Sequence, residues 1–200
     1  MIQEIGIAQL DPRFIKQLEA ADKVALSNAP YSMEIYGAIL KQCPGCLELR
    51  KKLRDLQLKK ISNSTKGLSN LIGRVTNAPF LKRGQGDRDP IDIINKAEDL
   101  IAKSPSNIPA HQMLADAARS AGLFGTVVFA YETVKKMQPK DLVNLKSLGD
   151  AYIGNGETDK AIEMGNLIVS INPRDGEAED LMKRASVAAA MNRGKWEESE

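Results

Sequence analysis

The chain has 200 residues, of which 42% are apolar and 27% are charged, a composition typical of a folded protein rather than a disordered one. Aromatic residues make up only 4%, which favours helices packed through Leu, Ile, Val and Ala over a large β-rich core. The net charge of +2 is too small to indicate nucleic-acid binding by itself.

The N-terminal sequence MIQEIGIAQLDPRF has no basic region followed by an apolar core, so no signal peptide is predicted. No apolar run reaches the length of about 18 residues that a membrane-spanning helix needs. Because the chain has two cysteines and no export signal, we expect a cytoplasmic protein with reduced thiols.

Residues 13–46 are predicted to form a first pair of helices, and LELRKKLRDLQLKK (47–60) a further helix, which gives an N-terminal helical block over residues 1–60. The pair ends in the sequence Cys43-Pro44-Gly45-Cys46. Such a pair of cysteines can be a redox couple or half of a zinc site. Here it follows a helix, and the chain has no further cysteine, so a structural role at a helix–helix turn is favoured.

The middle of the chain is basic, because residues 47–88 carry 11 Lys/Arg against 3 Asp/Glu, a net charge of +8. The predicted linker, residues 61–86, has Leu68, Leu71, Ile72 and Val75 at the spacing of a short amphipathic helix. This helix either covers apolar surface of the protein itself or docks onto a partner or an anionic membrane surface. Nucleic acid is disfavoured as a ligand because Phe80 is the only aromatic residue from 47 to 88.

A second helical block is predicted over residues 87–193. It opens with DRDPIDIINKAEDLIAKSP, a helix whose inward side chains are Ile93, Ala97 and Ile101. The helix expected before it, at 74–87, contains a proline and two glycines and is predicted to be missing or degenerate.

Three prolines, Pro105, Pro139 and Pro173, stand 34 residues apart, and a fixed period of this length indicates a helical repeat array. The spacing from Pro44 to Pro105 is 61 residues rather than twice 34, so the array loses phase near the linker. A helix over 176–193 is predicted to cap the array, and residues 194–200 to form an acidic tail.

The clearest repeat unit is 142–175. Its first helix is predicted to bury Leu145, Leu148, Gly149 and Tyr152, and Gly154 and Gly156 flank a turn. Thr158 or Asp159 is predicted to cap the second helix, which Pro173 ends. The inward residues of that second helix are predicted to be Ala161, Ile162, Gly165 and Ile168.

This pattern resembles the tetratricopeptide repeat, a helix-turn-helix of 34 residues. Leu145, Leu148-Gly149, Tyr152, Ala161, Ile168 and Pro173 fall at the family's positions, and Leu114-Ala115, Ala118, Tyr131, Val134 and Pro139 take the same places in the unit before. The resemblance implies an all-α solenoid of helix-turn-helix repeats, interrupted by the linker. It also implies a non-enzymatic scaffold or adaptor that binds a protein or peptide partner in a groove lined by the first helices.

The resemblance places groove positions at Gln112, Asp116, Arg119, Lys146, Asp150, Ile153, Asp180 and Arg184, and at Phe14, Gln17, Ala21 and Val24 in the N-terminal unit. One subclass of the family grips a C-terminal carboxylate with Lys and Asn. Asp116 and Asp150 occupy the asparagine places here and would repel a carboxylate, so a basic or mixed peptide is expected. The alternative function is a membrane-surface or nucleic-acid tether through the basic segment 47–83.

No catalytic set is apparent. His111 is the only histidine, and no nucleophile or carboxylate at suitable spacing accompanies it, so a packing or surface role is favoured. The glycines Gly84 and Gly86 follow no predicted strand and precede no phosphate-loop lysine. We therefore expect no enzyme activity, no cofactor and no bound metal.

Overall fold

The computed structural model describes residues 2–64 and 89–197, and the side chains of 2–61 and 89–193. Within these ranges the chain forms nine α-helices: α1 (Pro12–Val24), α2 (Ala29–Gln42), α3 (Leu47–Ser64), α4 (Pro90–Lys103), α5 (Ile108–Ala121), α6 (Phe124–Met137), α7 (Leu142–Gly154), α8 (Thr158–Ile171) and α9 (Gly176–Glu197). In the same ranges the only β contact is an isolated bridge between Ile5 and Cys46. The prediction of an all-α protein is confirmed, and helices that follow each other pack in pairs, as in a helical repeat.

The chain divides into two compact units, Met1–Thr126 and Val127–Glu200. Helix α3 continues to Ser64, four residues into the predicted linker 61–86. Residues 65–88, with the predicted amphipathic helix 68–75 and the degenerate helix 74–87, lie outside the described residues. Helix α9 runs to Glu197, four residues beyond the predicted end at 193.

Most helices begin where the local sequence provides a capping side chain. Asp11, Asn28, Asp89, Asn107 and Asp141 each accept a hydrogen bond from a backbone N–H in the first turn of the helix that follows. A proline occupies the first or second position of α1, α2, α4 and α5, where its fixed φ suits the helix and its missing N–H costs nothing. Each cap contributes about 1 kcal/mol.

The first unit has its core where α1, α2 and α3 meet. Ser32 is fully buried there, and its hydroxyl donates to the Ala21 carbonyl at 2.7 Å, which satisfies the hydroxyl without a solvent contact. Helix α4 packs on α5, and the predicted inward residues Ile93, Ala97 and Ile101 are all buried. The apolar residues of the α1–α3 core include Phe14, Leu18, Ala21, Tyr36, Ile39, Leu40, Leu49 and Leu53.

The second unit has its best-defined packing among α7, α8 and α9. The predicted core residues Leu145, Leu148, Tyr152, Ala161 and Ile168 are buried, and α8 ends at Ile171, two residues before Pro173. The predicted turn is also confirmed, since α7 ends at Gly154 and Gly156 has a φ of 80°, a conformation that favours glycine. The predicted cap is wrong: the N-cap residue is Glu157, which makes no capping hydrogen bond, and Thr158 is already the first helical residue.

Two glycines let α9 approach its neighbours closely. A Cβ built at Gly149 on α7 would overlap the Leu181 side chain, and one at Gly165 on α8 would overlap Met182. The Gly165 position also has the Ala178 carbonyl oxygen at 3.3 Å, so the backbone of α9 limits any adjustment. Gly37 on α2 differs from both, because a Cβ there would meet no atom within 4 Å.

We predict that Gly165→Ala destabilises the protein by about 1–2 kcal/mol, because overpacking outweighs the better helix propensity of alanine. The matched control is Gly37→Ala, which introduces the same change into open space and is expected to stabilise by up to about 1 kcal/mol. Chemical denaturation followed by circular dichroism measures both. Stabilisation by Gly165→Ala would contradict the close approach of α8 and α9.

Candidate functional site

Several predicted groove residues come together on one surface of the second unit. On α7 and α9, Arg184 binds two carboxylates: Nη1 lies 2.6 Å from Asp150 Oδ1, and Nε lies 2.7 Å from Asp180 Oδ2. One turn earlier on α7, Lys146 Nζ lies 3.1 Å from Asp175 and 2.6 Å from Glu177. We call these six residues the α7–α9 face.

The α7–α9 face is acidic, because four carboxylates share two cations and leave a net charge of −2. Hydrogen bonds to Glu177 and Asp175 raise the pKa of Lys146, and the hydrogen bond to Lys146 lowers the pKa of Asp175. Both shifts favour the charged forms of Lys146 and Asp175 at neutral pH. The side chains of Asp180 and Glu177 are 66% and 77% exposed, so the negative charge is available to a ligand.

Apolar side chains border this charge. The predicted groove residue Ile153 is half-buried, three positions after Asp150 on α7. Val187 and Met191 are 59% and 63% exposed, and their spacing of three and seven residues from Arg184 places them on the same side of α9. Exposed apolar groups beside an acidic cluster are suited to an amphipathic protein segment.

The other predicted groove residues belong to the first unit. Gln112 is half-buried on α5, and Asp116 and Arg119 are exposed. Their spacing of four and three residues places them along one side of α5. A single groove lined by α5, α7 and α9, which the resemblance implies, remains a prediction.

Two N-terminal groove assignments are wrong. Phe14 is 9% exposed and Ala21 is fully buried, and both lie in the core formed by α1, α2 and α3. Gln17 is exposed and Val24 is half-buried. The apolar side of α1 is used for folding, because it packs against α2 and is not presented to a partner.

Sequence reasoning missed a buried ionic cluster in the first unit. Arg50 and Arg54 on α3 are 0% and 1% exposed, and both bind Glu98 on α4: Arg50 Nε lies 2.9 Å from Oε1, and Arg54 Nη2 lies 2.8 Å from Oε2. Arg54 Nη1 also donates to Gln57. Burial alone would raise the pKa of Glu98, but the two guanidinium groups outweigh it and hold that pKa below its usual value.

The cluster extends to the N-terminus of the chain. Arg50 Nη2 donates to the Pro44 carbonyl at 2.8 Å, and Nη1 donates to Thr126 Oγ1 at 3.0 Å. Thr126 in turn donates its hydroxyl to Glu4 at 2.9 Å. Glu4 also accepts the backbone N–H groups of Gly125 and Thr126, at the positive end of α6. Two buried cations are thus balanced by Glu98 directly and by Glu4 through one hydroxyl, which fastens α3, α4 and the first turn of α6 together.

The cysteine pair lies at a turn, as predicted. Neither thiol forms a disulfide, and the Cys46 N–H donates to the Cys43 carbonyl at 3.1 Å. Burial raises the pKa of both thiols, which opposes formation of the reactive thiolate. The N-terminal strand-like segment covers the turn, since the Ile5 N–H donates to the Gly45 carbonyl at 3.1 Å.

His111 is a core residue. It is 1% exposed, and Nε2 lies 2.9 Å from the Pro105 carbonyl oxygen, to which it must donate. Nδ1 is buried without a hydrogen-bond partner. Burial and the nearby Arg54 lower the pKa of His111 to about 4, so the ring is neutral at physiological pH.

We also searched the described residues for a metal site, a membrane-spanning helix and a basic tether. Among the described side chains, no group of three or more His, Cys, Asp or Glu residues is placed to hold a metal ion. No described helix combines the length and the apolar character needed to cross a membrane. At least three of the six basic residues in α3 form ion pairs, Arg50 and Arg54 with Glu98 and Lys52 with Asp22, which reduces the charge that a tether through 47–83 could offer.

No protein-family model matches the chain, and no curated protein matches it either. The resemblance to tetratricopeptide repeats therefore depends on the residue pattern and the period alone.

Proposed function

We propose that the protein is a non-enzymatic interaction module of the tetratricopeptide-repeat type, and that its α7–α9 face binds a basic segment of a protein partner. The observation that supports this is the acidic cluster on two neighbouring helices, where Asp180 and Glu177 are exposed and Asp150 is half-buried. The exposed apolar residues Val187 and Met191 follow on the same side of α9 as Arg184. Lys or Arg side chains of a partner would bind the carboxylates, and its apolar side chains would pack on α9.

The bonds within the face define which partner residues can bind. Arg184 neutralises one of the two carboxylates that it bridges, and Lys146 does the same for its pair. One unit of negative charge is left at each end, and the two ends lie about one helical turn apart on α7, roughly 5–6 Å. A segment with two basic residues at a similar separation, flanked by an apolar residue, fits this arrangement best.

The test is a selection of peptides on the full chain from a random library, followed by anisotropy titration of the selected peptides. We predict enrichment of Lys and Arg, and a loss of affinity of about tenfold in the double variant Asp150→Asn/Asp180→Asn, equivalent to about 1.4 kcal/mol. The matched control is Asp159→Asn/Glu163→Gln on α8, which removes the same charge from another exposed surface.

Two results would count against the proposal. Selected peptides without basic residues would refute the assignment of a basic partner. An equal loss in the α8 control would show that net charge, not the α7–α9 face, attracts the peptide.

A further inference from the structure

The first unit contains an open cavity that the proposed function does not use. It lies between α2, α3 and α4 and has a volume of about 380 Å³. Small-molecule sites in proteins have volumes of roughly 300–1,000 Å³, so the size suits a compact organic ligand. Its apolar walls are provided mainly by Leu40, Leu53 and Ile61.

Gly37 leaves part of the cavity wall without a side chain. It lies in the middle of α2, where glycine destabilises a helix by about 1 kcal/mol relative to alanine. At Gly149 and Gly165 a packed side chain explains the glycine, but a Cβ at Gly37 would meet no protein atom within 4 Å. Gly37 lines the cavity, so the space beside its backbone is left open toward the ligand position.

The charge around the cavity favours an anion. Arg50 and Glu98 line the wall as a buried pair, and Arg54 also binds Glu98. Because Glu4 balances the second cation through Thr126, this buried cluster adds no net charge to the cavity. Lys41 and Asp99 at the rim neutralise each other at 3.0 Å.

The positive charge at the cavity comes from two further lysines that line it. Lys60 on α3 and Lys103 at the end of α4 take part in none of the ion pairs among the described side chains, and both are exposed. Glu34 is the one further carboxylate among the lining residues, so cations outnumber anions at the cavity. The amide of Gln57, which is 4% exposed, adds a hydrogen-bonding group on the wall.

We propose that this cavity binds a small amphipathic anion, an organic carboxylate, sulfonate or phosphate with a compact apolar body. The apolar body lies against Gly37 and Leu53, and the anionic group is held by Lys60 and Lys103. The site is contained within the first unit and is independent of the α7–α9 face.

The probes that test this are 8-anilinonaphthalene-1-sulfonate and its uncharged analogue N-phenyl-1-naphthylamine, which differ only in the sulfonate. Fluorescence titration of the full chain is expected to show one saturable site for each. The double variant Lys60→Gln/Lys103→Gln should lower the affinity for the sulfonate by about tenfold and leave the affinity for the uncharged analogue unchanged. Lys96→Gln, an exposed lysine on α4 outside the cavity lining, is the matched control and should change neither.

Filling the cavity with a larger side chain should weaken the binding of both probes. Gly37→Phe places a ring in the open space, and Ala102→Phe does so from the α4 wall, so the test stands if one variant fails to fold. Each is expected to weaken both probes at least about tenfold. Unchanged binding in a folded cavity-filling variant, no binding to the wild type, or an equal loss in Lys96→Gln would each overturn the proposal.

Discussion

Replacing Glu98 with glutamine is expected to destabilise the protein by about 3–5 kcal/mol, because the change leaves two buried guanidinium groups without their shared carboxylate. Arg50 and Arg54 are 0% and 1% exposed, so water cannot replace the lost charge. The glutamine amide would also direct N–H donors at the donors of an arginine. Urea denaturation followed by circular dichroism measures the loss.

The neighbouring residue provides a matched control. Asp99 also pairs with a cation on another helix, Lys41 at 3.0 Å, but both side chains are more than half exposed. Asp99→Asn is therefore expected to cost less than about 1 kcal/mol. Similar costs at the two positions would show that burial does not strengthen the Glu98 pair.

A second variant separates the charge from the packing. Removing one buried cation at the same time, in Glu98→Gln/Arg54→Met, leaves a single guanidinium that still has Thr126 and Pro44 as partners. We expect the double variant to be at least about 1 kcal/mol more stable than the sum of the two single changes predicts. Additive costs would contradict a shared counterion.

Local sequence patterns account for much of this fold. The caps at Asp11 and Asp89 precede prolines, and the 34-residue spacing of prolines marks where α4, α6 and α8 end. These features depend on residues close together in the chain, so one sequence is enough to find them. The cap of α8 was misplaced by one or two residues, because Thr158 satisfies the pattern equally well as cap or as first helical residue.

The ionic cluster could not be predicted because its partners are 44 and 48 residues apart. Arg50 and Arg54 occur in a run of basic residues, which normally indicates a solvated helix surface. One clue was present: Glu98 directly follows Ala97 and precedes Ile101 by three, on the predicted inward side of α4. A carboxylate at an inward position requires a buried cation, although the sequence does not reveal which one.

In the candidate site too, relations within one helix could be predicted from the sequence, whereas contacts between distant residues could not. The resemblance predicted Asp150 together with Lys146, and Asp180 together with Arg184, and each of these pairs lies on one helix. The bond from Arg184 to Asp150 joins residues 34 apart, one repeat period, and could be anticipated only through the repeat. The groove prediction fails at Phe14 and Ala21 because the side of α1 that carries them packs into the core formed with α2 and α3.

Lowering the pH from 6.5 to 4 is expected to remove about 3 kcal/mol of stability through His111 alone, since the pKa of this residue is lowered from 6.5 to about 4 by burial and by Arg54. In this interval the unfolded chain binds a proton that the folded chain excludes, so stability rises with pH. About one unit above pH 6.5 both states are essentially neutral at this position and the dependence ends. Glu98 affects stability at lower pH than His111 does. Folding lowers the pKa of this carboxylate, so its contribution to stability is lost only as the pH falls below the unfolded value near 4.3.

The variant His111→Gln tests this assignment, because the glutamine amide can still donate to the Pro105 carbonyl but does not titrate. We expect its stability to be nearly constant between pH 6.5 and 5, where the wild type declines. Since His111 is the only histidine in the chain, its imidazole proton resonance also reports the folded pKa without overlap. A measured pKa near 6.5, or an equal decline in His111→Gln, would place the ring in contact with solvent and contradict its burial beside Arg54.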